Sequence, residues 1–260
     1  MKVAITGSNG FVGTKLKNDF PDFIAIDRKD SVDEIVKKLE GVDVVINLAG
    51  ATILKRWTPE YKKILYSSRI DTTKKLVQAI NQSDIKHFIS TSAIGIYGDD
   101  FLTTVTQDWE AQASKSNKPT TIMRFGIILG EGGGALSNML TPFKLGLGGN
   151  IGDGKMIMSW IDIDDLVGIY RFVIDNKVCG TLDATAPNPV TNKEFTKALG
   201  RVLNRPTILP LPEFVLKIIF GEASSTLLSS IDVKPKTILD AGYKFKYEDI
   251  YSSLEHILIK

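Results

Sequence analysis

The stretch ITGSNGFVG, Ile5 to Gly13, constrains the fold more than any other part of this 260-residue chain. It joins a short apolar run, which is typical of a buried strand, to an amphipathic segment that begins near Gly10. Glycines at positions 7, 10 and 13 allow a tight turn and a close approach between a strand and the helix that follows it. The stretch therefore predicts the first β-α unit of a parallel α/β sheet.

The same rhythm continues through the first half of the sequence. Five apolar runs are nearly continuous rather than alternating, which is the pattern of parallel strands buried on both faces. Strands are predicted at Lys2–Thr6, Phe23–Asp27, Val42–Leu48, His87–Ser92 and Thr120–Arg124, and helices at Gly10–Asp19, Val32–Leu39, Thr58–Asn81 (broken once) and Thr103–Ser114. We therefore expect an α/β doubly wound parallel sheet, the Rossmann fold.

After Arg124 the rhythm changes, because the glycine clusters GEGGG and LGLGG flank an apolar helix. The sheet pattern returns in MIMSWI and GTLDATA, a helix begins near IDDL, and four helix candidates fill the C-terminal part. This predicts an NAD(P)-binding Rossmann domain made of residues 1–130 and 155–185. It is interleaved with a smaller, mainly helical C-terminal substrate lobe made of residues 131–154 and 186–260.

Composition argues against several classes of partner. The 32 Lys and Arg against 30 Asp and Glu leave a net charge of +2, which creates no field that would attract nucleic acid or an anionic membrane. No stretch approaches the roughly 20 apolar residues that span a bilayer, and the single Cys179 cannot close an intramolecular disulfide. We expect a cytoplasmic protein that acts on a small molecule. Neither His87 nor His256 belongs to a ligand motif, so no metal is expected.

An acidic residue at the end of the second predicted strand, together with the glycine turn, indicates a dinucleotide site. Asp27 follows Gly7 by 20 residues, as the ribose-binding acid of such sites does. The helix N-terminus after the turn offers amide donors and partial positive charge to a pyrophosphate. Asp27 favours NAD because it would repel a 2′-phosphate, whereas Arg28 leaves NADP open because a guanidinium can bind that phosphate.

The spacing G-x-x-G-x-x-G resembles that of the extended short-chain dehydrogenase/reductase superfamily, in its NAD-dependent epimerase/dehydratase branch. The segments DVVINLAG, SAIGIYG, RFGIILGEGGG and GDGKMIMSWIDIDDL resemble later segments of that branch, in the same order. Downstream, TAPNPVTNKEF and KPKTILDAGYKFKYEDI resemble a subgroup labelled epimerase family proteins, sometimes described as cell-division-inhibitor-like. The resemblance implies a nicotinamide cofactor on the sheet and a substrate, typically a nucleotide sugar, under the lobe. Homodimers are common among such relatives.

The predicted cofactor residues come from the glycine turn, the ends of the second and third strands, and the segment after the fifth strand. They are Gly7, Asn9, Gly10, Phe11, Val12, Gly13, Asp27, Arg28, Leu48, Ala49, Gly50, Phe125, Gly126 and Ile127. The expected cofactor is NAD or NADP, with NAD favoured by the carboxylate at the end of the second strand.

The proton-transfer pair of the superfamily is missing from this sequence. The resemblance implies a Tyr with a Lys four residues later, and a Ser or Thr that positions the carbonyl. None of the seven tyrosines has a Lys at the fourth following position. Alignment through Glu110 places Leu102 and Thr106 where that pair would stand. In such relatives the Ser or Thr lies four residues before the Tyr of the I-Y-G segment, and that position here is Ala93, with Ser92 beside it.

Ser92 and Tyr97 are therefore the predicted catalytic substitutes, with Asp99, Asp100 or a residue of the second lobe as alternatives. No Lys, Arg or His occurs between Phe88 and Ser114. A phenol with no cation near it in sequence is a poor base but a usable hydrogen-bond donor. The alternative for Tyr97 is a purely structural, half-buried position at the edge of the sheet.

Two hypotheses about function follow. The first is an NAD(P)-dependent oxidoreductase or epimerase that acts on a carbonyl or secondary alcohol of a small, nucleotide-sugar-like molecule. The alternative is a catalytically silent regulatory protein that binds a nicotinamide dinucleotide, and the missing Tyr and Lys favour it. A purely structural role is disfavoured because it would leave the glycine turn and Asp27 without a function.

Overall fold

A computed structural model describes residues 1–259. The strands in this range are β1 (Val3–Thr6), β2 (Ile24–Ile26), β3 (Val44–Asn47), β4 (His87–Ala93), β5 (Thr120–Phe125), β6 (Ile127–Leu129), β7 (Ile157–Met158), β8 (Trp160–Asp162), β9 (Gly180–Ala184) and β10 (Val190–Thr191). The helices are α1 (Phe11–Asp19), α2 (Val32–Lys38), α3 (Pro59–Ser67), α4 (Ile70–Ile80), α5 (Phe101–Ala113), α6 (Gly134–Lys144), α7 (Ile163–Asp175), α8 (Asn192–Leu203), α9 (Glu213–Phe220), α10 (Ser224–Leu228), α11 (Lys236–Asp240) and α12 (Ile250–Leu258).

Six of the strands form one parallel sheet in the order β2-β1-β3-β4-β5-β9. β1 pairs in parallel with β2 on one side and with β3 on the other. The chain thus runs outward from β1 in both directions, which creates a topological switch point beside its carboxyl end. The predicted doubly wound Rossmann sheet is confirmed.

Both faces of this sheet are covered by helices. Val45 and Phe88 point to one face, where they pack in a buried cluster with residues of α2, α4 and α5. Thr91 lies three residues after Phe88 and therefore points to the opposite face. There its hydroxyl lies 3.2 Å from the hydroxyl of Tyr170 in α7. Helices thus cover both faces, α2, α4 and α5 on one and α7 on the other, as expected for strands that are apolar on both sides.

One predicted helix is broken once as expected, and another begins earlier than expected. The helix predicted over 58–81 is interrupted at Ser68 and Arg69, which separates α3 from α4. The helix predicted to begin at Thr103 begins instead at Phe101. The Asp100 carboxylate accepts hydrogen bonds from the backbone N–H groups of Leu102 and Thr103, so it satisfies donors of the first turn.

The chain divides into two compact units. Unit 1 consists of Met1–Ile53, Thr58–Arg124 and Val167–Leu182, and unit 2 consists of residues 54–57, 125–166 and 183–259. The assignment of cofactor and substrate to separate lobes stays a prediction. Within residues 1–259, no helix combines the length and the apolar character needed to cross a membrane.

Unit 2 has its own core and two small sheets. The stretch MIMSWI forms two strands rather than one, because β7 pairs with β10 whereas β8 pairs with β6. Trp160, Phe195 and Leu254 are fully buried in one apolar cluster, and the Trp160 indole N–H donates to the carbonyl oxygen of Asn188 at 3.0 Å. Five helices, α8 to α12, occupy the C-terminal part, where the sequence predicted four.

A buried histidine in unit 1 makes stability depend on pH. His87 is 5% exposed, its Nε2 lies 2.7 Å from Thr121 Oγ1, and burial lowers its pKa. The unfolded chain therefore binds a proton that the folded chain resists, so stability is lost as the pH falls below the unfolded value of about 6.5. We expect His87→Gln to weaken this pH dependence, by at most about 1.4 kcal/mol per pH unit. Urea unfolding of both proteins between about pH 7 and pH 5 measures it, and equal slopes would contradict the prediction.

Candidate functional site

The chain turns sharply where β1 ends, and glycines permit the turn. Gly7 has a φ of +65°, and a Cβ there would lie 2.8 Å from the carbonyl oxygen of Leu48. A Cβ on Gly13 would lie 2.6 Å from the carbonyl oxygen of Gly7, so α1 can approach the turn this closely only with glycine. The Gly10 N–H donates to the Gly7 carbonyl at 2.9 Å. The structure therefore brings the turn and the end of β3 together, as the sequence predicted for a dinucleotide site.

The N-terminus of α1 is open at the end of this turn. Its N-cap residue, Gly10, provides no side-chain cap, whereas Ser31 caps α2 and Asp100 caps α5. First-turn N–H groups have no acceptor within their own helix, and the helix dipole adds partial positive charge. Phe11–Gly13 can thus offer backbone donors to an anion. The Asn9 amide oxygen, beside them, accepts a hydrogen bond from a lysine of α1.

The loop after β2 presents Asp27 and Arg28 at the surface. Asp27 Oδ1 accepts a hydrogen bond from the Lys29 N–H at 2.8 Å, and Asp30 Oδ2 accepts one from the Asp27 N–H at 2.7 Å. Lys75 Nζ donates to the carbonyl oxygen of Arg28 at 2.7 Å. These bonds hold the loop in a turn, with a carboxylate and a guanidinium on adjacent exposed residues.

The segment after β3 is held by a buried amide. Asn47 is fully buried, and its Oδ1 accepts a hydrogen bond from the Thr6 hydroxyl at 2.7 Å. The backbone N–H of Leu48 donates to Thr6 Oγ1 at 3.1 Å, and that of Ala49 donates to Asn47 Oδ1 at 3.4 Å. Gly50 follows directly. We call Leu48–Ala51 the floor loop, since the sequence predicts that its first three residues line the cofactor site.

The predicted catalytic residues of unit 1 meet an unexpected ion pair. Ser92 Oγ donates to Glu110 Oε1 at 2.6 Å. Arg124 Nε and Nη2 donate to the two Glu110 oxygens, each at 2.8 Å, and Arg124 Nη1 donates to the Tyr97 hydroxyl at 2.6 Å. Hydrogen bonds to Glu110 raise the pKa of Arg124 further above its ordinary value. Tyr97 lacks a cation near it in sequence, but in space a guanidinium contacts it directly.

The two positions aligned with the missing Tyr and Lys have local structural roles. The Thr106 hydroxyl donates to the backbone carbonyls of Leu102, at 2.5 Å, and of Thr103, at 3.0 Å, within its own helix. Such back-bonding satisfies a buried hydroxyl. Thr106 is only 4% exposed and carries no charge at neutral pH, so it cannot replace the lysine.

The remaining predicted cofactor residues, Phe125–Ile127, belong to unit 2. The Gly126 N–H donates to the carbonyl oxygen of Ala184 at 3.1 Å, and the Ile127 N–H donates to that of Ser159 at 2.8 Å. A Cβ on Gly126 would lie 2.6 Å from the Ser159 carbonyl oxygen. Close backbone packing therefore accounts for the glycine of this segment, and the role of the segment in cofactor binding stays a prediction.

One group of side chains in unit 2 has the spacing of metal ligands. Asp162, Asp164 and His256 each place a ligand atom within 4.8 Å of the others. Asp162 is buried, which raises its pKa, and it accepts a hydrogen bond from the Ser253 hydroxyl at 2.7 Å. His256 Nε2 lies 3.0 Å from Asp164 Oδ2. All three side chains thus have protein partners already, and the group serves to link α12 to the start of α7.

Sequence reasoning missed the contribution of Arg124. The available signal was its place at the end of β5, because carboxyl ends of neighbouring parallel strands meet at one edge of a sheet. Ser92 lies near the carboxyl end of β4, which neighbours β5. No sequence feature indicated a role in the site for Arg69, which lies between α3 and α4.

Two family models match this chain. The model of the NAD dependent epimerase/dehydratase family matches residues 3–182, and that of a domain of unknown function (DUF1731) matches residues 211–257. Among curated proteins, the mouse epimerase family protein SDR39U1 is 34% identical over 99% of this chain and 100% of its own length. The Bacillus subtilis epimerase family protein YfhF is 35% identical over 85% of this chain and 80% of its own.

Solved structures agree with these relatives. The crystal structure of the human epimerase family protein SDR39U1 (isoform 2) with NADPH is 32% identical, covers 99% of both chains and has a TM-score of 0.92. A dTDP-4-dehydrorhamnose reductase from Bacillus anthracis in complex with NADP has a TM-score of 0.80 over 99% of this chain and 98% of that chain. Its identity is 19%, so that likeness shows the fold alone.

Proposed function

Because the chain belongs to the NAD dependent epimerase/dehydratase family, we propose that it binds a nicotinamide dinucleotide at the turn after β1. The observation that carries this proposal is the uncapped N-terminus of α1 behind the Gly7 turn. Asp27, exposed after β2, would accept hydrogen bonds from the adenosine ribose. NADPH in the structure of the human relative supports the same class of cofactor.

The preferred form of the cofactor is proposed to be NAD, because the Asp27 carboxylate would repel a 2′-phosphate. Arg28 beside it offers the opposite interaction. Titration of wild type, Asp27→Asn and Arg28→Gln with NADH and NADPH separates the two contributions. We expect Asp27→Asn to shift the preference toward NADPH and Arg28→Gln to shift it toward NADH.

The proposed reaction is oxidoreduction or epimerisation at a carbonyl or secondary alcohol of a small, nucleotide-sugar-like molecule. For reduction, a reduced nicotinamide bound there would supply a hydride to the carbonyl carbon, and the carbonyl oxygen would need a proton from the protein. Tyr97 is the proposed donor, since it is 50% exposed and its hydroxyl already accepts a hydrogen bond from Arg124. A cation that donates to a phenol oxygen favours the phenolate left after proton transfer.

Ser92 and Glu110 support this arrangement. Glu110 binds Arg124 through both carboxylate oxygens, which fixes the plane of the guanidinium. The Ser92 hydroxyl donates a hydrogen bond to Glu110, so only its oxygen lone pairs are left for any further contact. Ser92 is only 1% exposed, so we propose that it acts by orienting Glu110 rather than by contacting the substrate.

The second candidate function is a cofactor-binding regulatory protein that does not turn over. The buried, back-bonded Thr106 at the lysine position favours it, because the usual proton relay has no equivalent in α5. Under this hypothesis the cofactor binds with the same residues, but Tyr97 transfers no proton.

The first measurement is the loss of reduced-nicotinamide absorbance with a panel of nucleotide sugars, ketones and aldehydes. We expect oxidation above a no-protein control, and a loss of at least about 100-fold in Tyr97→Phe. Cofactor affinity should be unchanged in this variant, because the phenol lies outside the diphosphate site. Binding without oxidation across the whole panel would contradict net reduction of these substrates and favour the regulatory proposal. Epimerisation consumes no reduced cofactor overall, so it is measured separately as a change in the configuration of the nucleotide sugar.

A further inference from the structure

Arg69 is a partly buried cation immediately behind the floor loop. It is the N-cap residue of α4, and its guanidinium donates to the carbonyl oxygens of Leu65 at 3.1 Å and Ala51 at 3.0 Å. The guanidinium carbon also lies 5.3 Å from the centre of the Trp109 ring. A backbone carbonyl at each amino group and an aromatic face hold the group in one place.

Arg69 has no paired carboxylate among residues 1–259, and burial lowers its pKa to about 10. Arg124 shows the opposite behaviour, because Glu110 raises its pKa. A charge withdrawn from water without a counter-ion is costly, so a bound anion near Arg69 would offset a cost that the protein alone leaves in place.

The position of Arg69 relates this charge to the floor loop. A Cβ on Gly50 would lie 3.1 Å from the guanidinium carbon, so the guanidinium occupies the space that a side chain at Gly50 would need. The opposite end of the floor loop, at Leu48, is the part that contacts Gly7 of the turn. The cation and the Gly7 turn thus contact the same loop at two points that are two residues apart, Gly50 and Leu48.

Buried hydrogen bonds fix the partner ring of Arg69. Trp109 Nε1 donates to Thr73 Oγ1 at 2.9 Å, and the same hydroxyl oxygen accepts a hydrogen bond from Asn47 Nδ2 at 2.8 Å. Asn47 in turn holds Ala49 of the floor loop. The cation, the aromatic ring and the floor loop therefore form one connected unit.

We propose that Arg69 is an electrostatic positioning residue for the dinucleotide: it holds the floor loop and provides the positive charge that compensates the cofactor diphosphate. This inference rests on the proposed function, since it takes the diphosphate to bind at the turn after β1. It adds a long-range charge to a site whose direct donors are backbone N–H groups. The attraction between the guanidinium and the diphosphate would act through the floor loop, because water does not fully screen charges in a protein interior.

The test compares two ligands that differ in the diphosphate, ADP and adenosine, by calorimetric titration of the full chain. In Arg69→Gln, which keeps an amide donor but loses the charge, we expect ADP to bind roughly tenfold more weakly. Adenosine should stay within about twofold of wild type, and the ADP affinity should depend less on salt. Arg171→Gln is the matched control: it also removes one positive charge from unit 1, but from an ion pair with Asp19.

Two results would overturn the inference. ADP affinity equal to wild type in folded Arg69→Gln would remove the electrostatic role, and an equal loss for ADP and adenosine would show that only the loop was disturbed. If Arg69→Gln does not fold, Arg69→Lys retains the charge and should bind ADP within about threefold of wild type. Failure of the wild type to bind ADP, NADH or NADPH would instead contradict the proposed function itself.

Discussion

Replacement of Gly10 by leucine is expected to abolish dinucleotide binding while the chain stays folded. Gly10 has φ −76° and ψ 176°, an extended conformation open to any residue, and a Cβ there would meet only the Gly7 carbonyl oxygen, at 3.2 Å. The fold should therefore lose little stability. The leucine side chain, however, would stand at the N-terminus of α1, where the diphosphate is proposed to bind. We expect at least a roughly 100-fold loss of affinity for NADH, about 2.7 kcal/mol.

Another glycine of the turn, Gly13, provides the contrast. Gly13→Ala would place a Cβ 2.6 Å from the Gly7 carbonyl oxygen and 2.7 Å from Ser8 Cα, so this variant should lose stability as well as binding. Gly41→Ala is a control in a distant turn: its φ of +69° should make this variant lose stability, but NADH affinity should stay unchanged in the folded protein. Urea unfolding and fluorescence titration with NADH measure the two effects. Unchanged NADH affinity in folded Gly10→Leu would contradict the assignment of the turn.

Neutralisation of Glu110 is expected to destabilise the fold. In Glu110→Gln, Arg124 would lose its only paired carboxylate among residues 1–259, and Ser92 would lose a charged acceptor. The side chains of Glu110 and Arg124 are only 13% and 19% exposed. We expect the free energy of unfolding to fall by about 2–3 kcal/mol, because a largely buried cation would be left unpaired.

A double-mutant cycle checks the physical reason. Arg124→Met alone should also be destabilising, whereas Glu110→Gln combined with Arg124→Met should recover part of the loss, since neither charge then remains. Tyr97→Phe is the matched control, because Tyr97 is half-exposed and its loss should leave stability within about 0.5 kcal/mol of wild type. Strictly additive effects in the cycle would show that the ion pair contributes no coupling energy.

The contact between Arg124 and Tyr97 illustrates how far sequence reasoning reached into the site. The sequence predicted the positions of Ser92 and Tyr97 correctly as neighbours of β4, but it predicted Tyr97 to lack a cation. Arg124 is 27 residues away from Tyr97 in the chain, and its contact with the Tyr97 hydroxyl depends on the pairing of β4 with β5. A regular spacing within one element cannot encode a contact of this kind.

The sequence by itself determined the sheet architecture, the glycine turn and the missing Tyr and Lys. These features are local. Apolar runs indicate strands that are buried on both faces, and a glycine indicates a left-handed backbone conformation or a close approach of another backbone segment. Tertiary structure alone decided that Arg124 joins Tyr97 and Glu110, and that Arg69 lies behind Gly50 with no paired carboxylate among residues 1–259. The physical reason is that charge compensation depends on distances between separate elements, and those distances exist only after the strands have paired and the helices have packed.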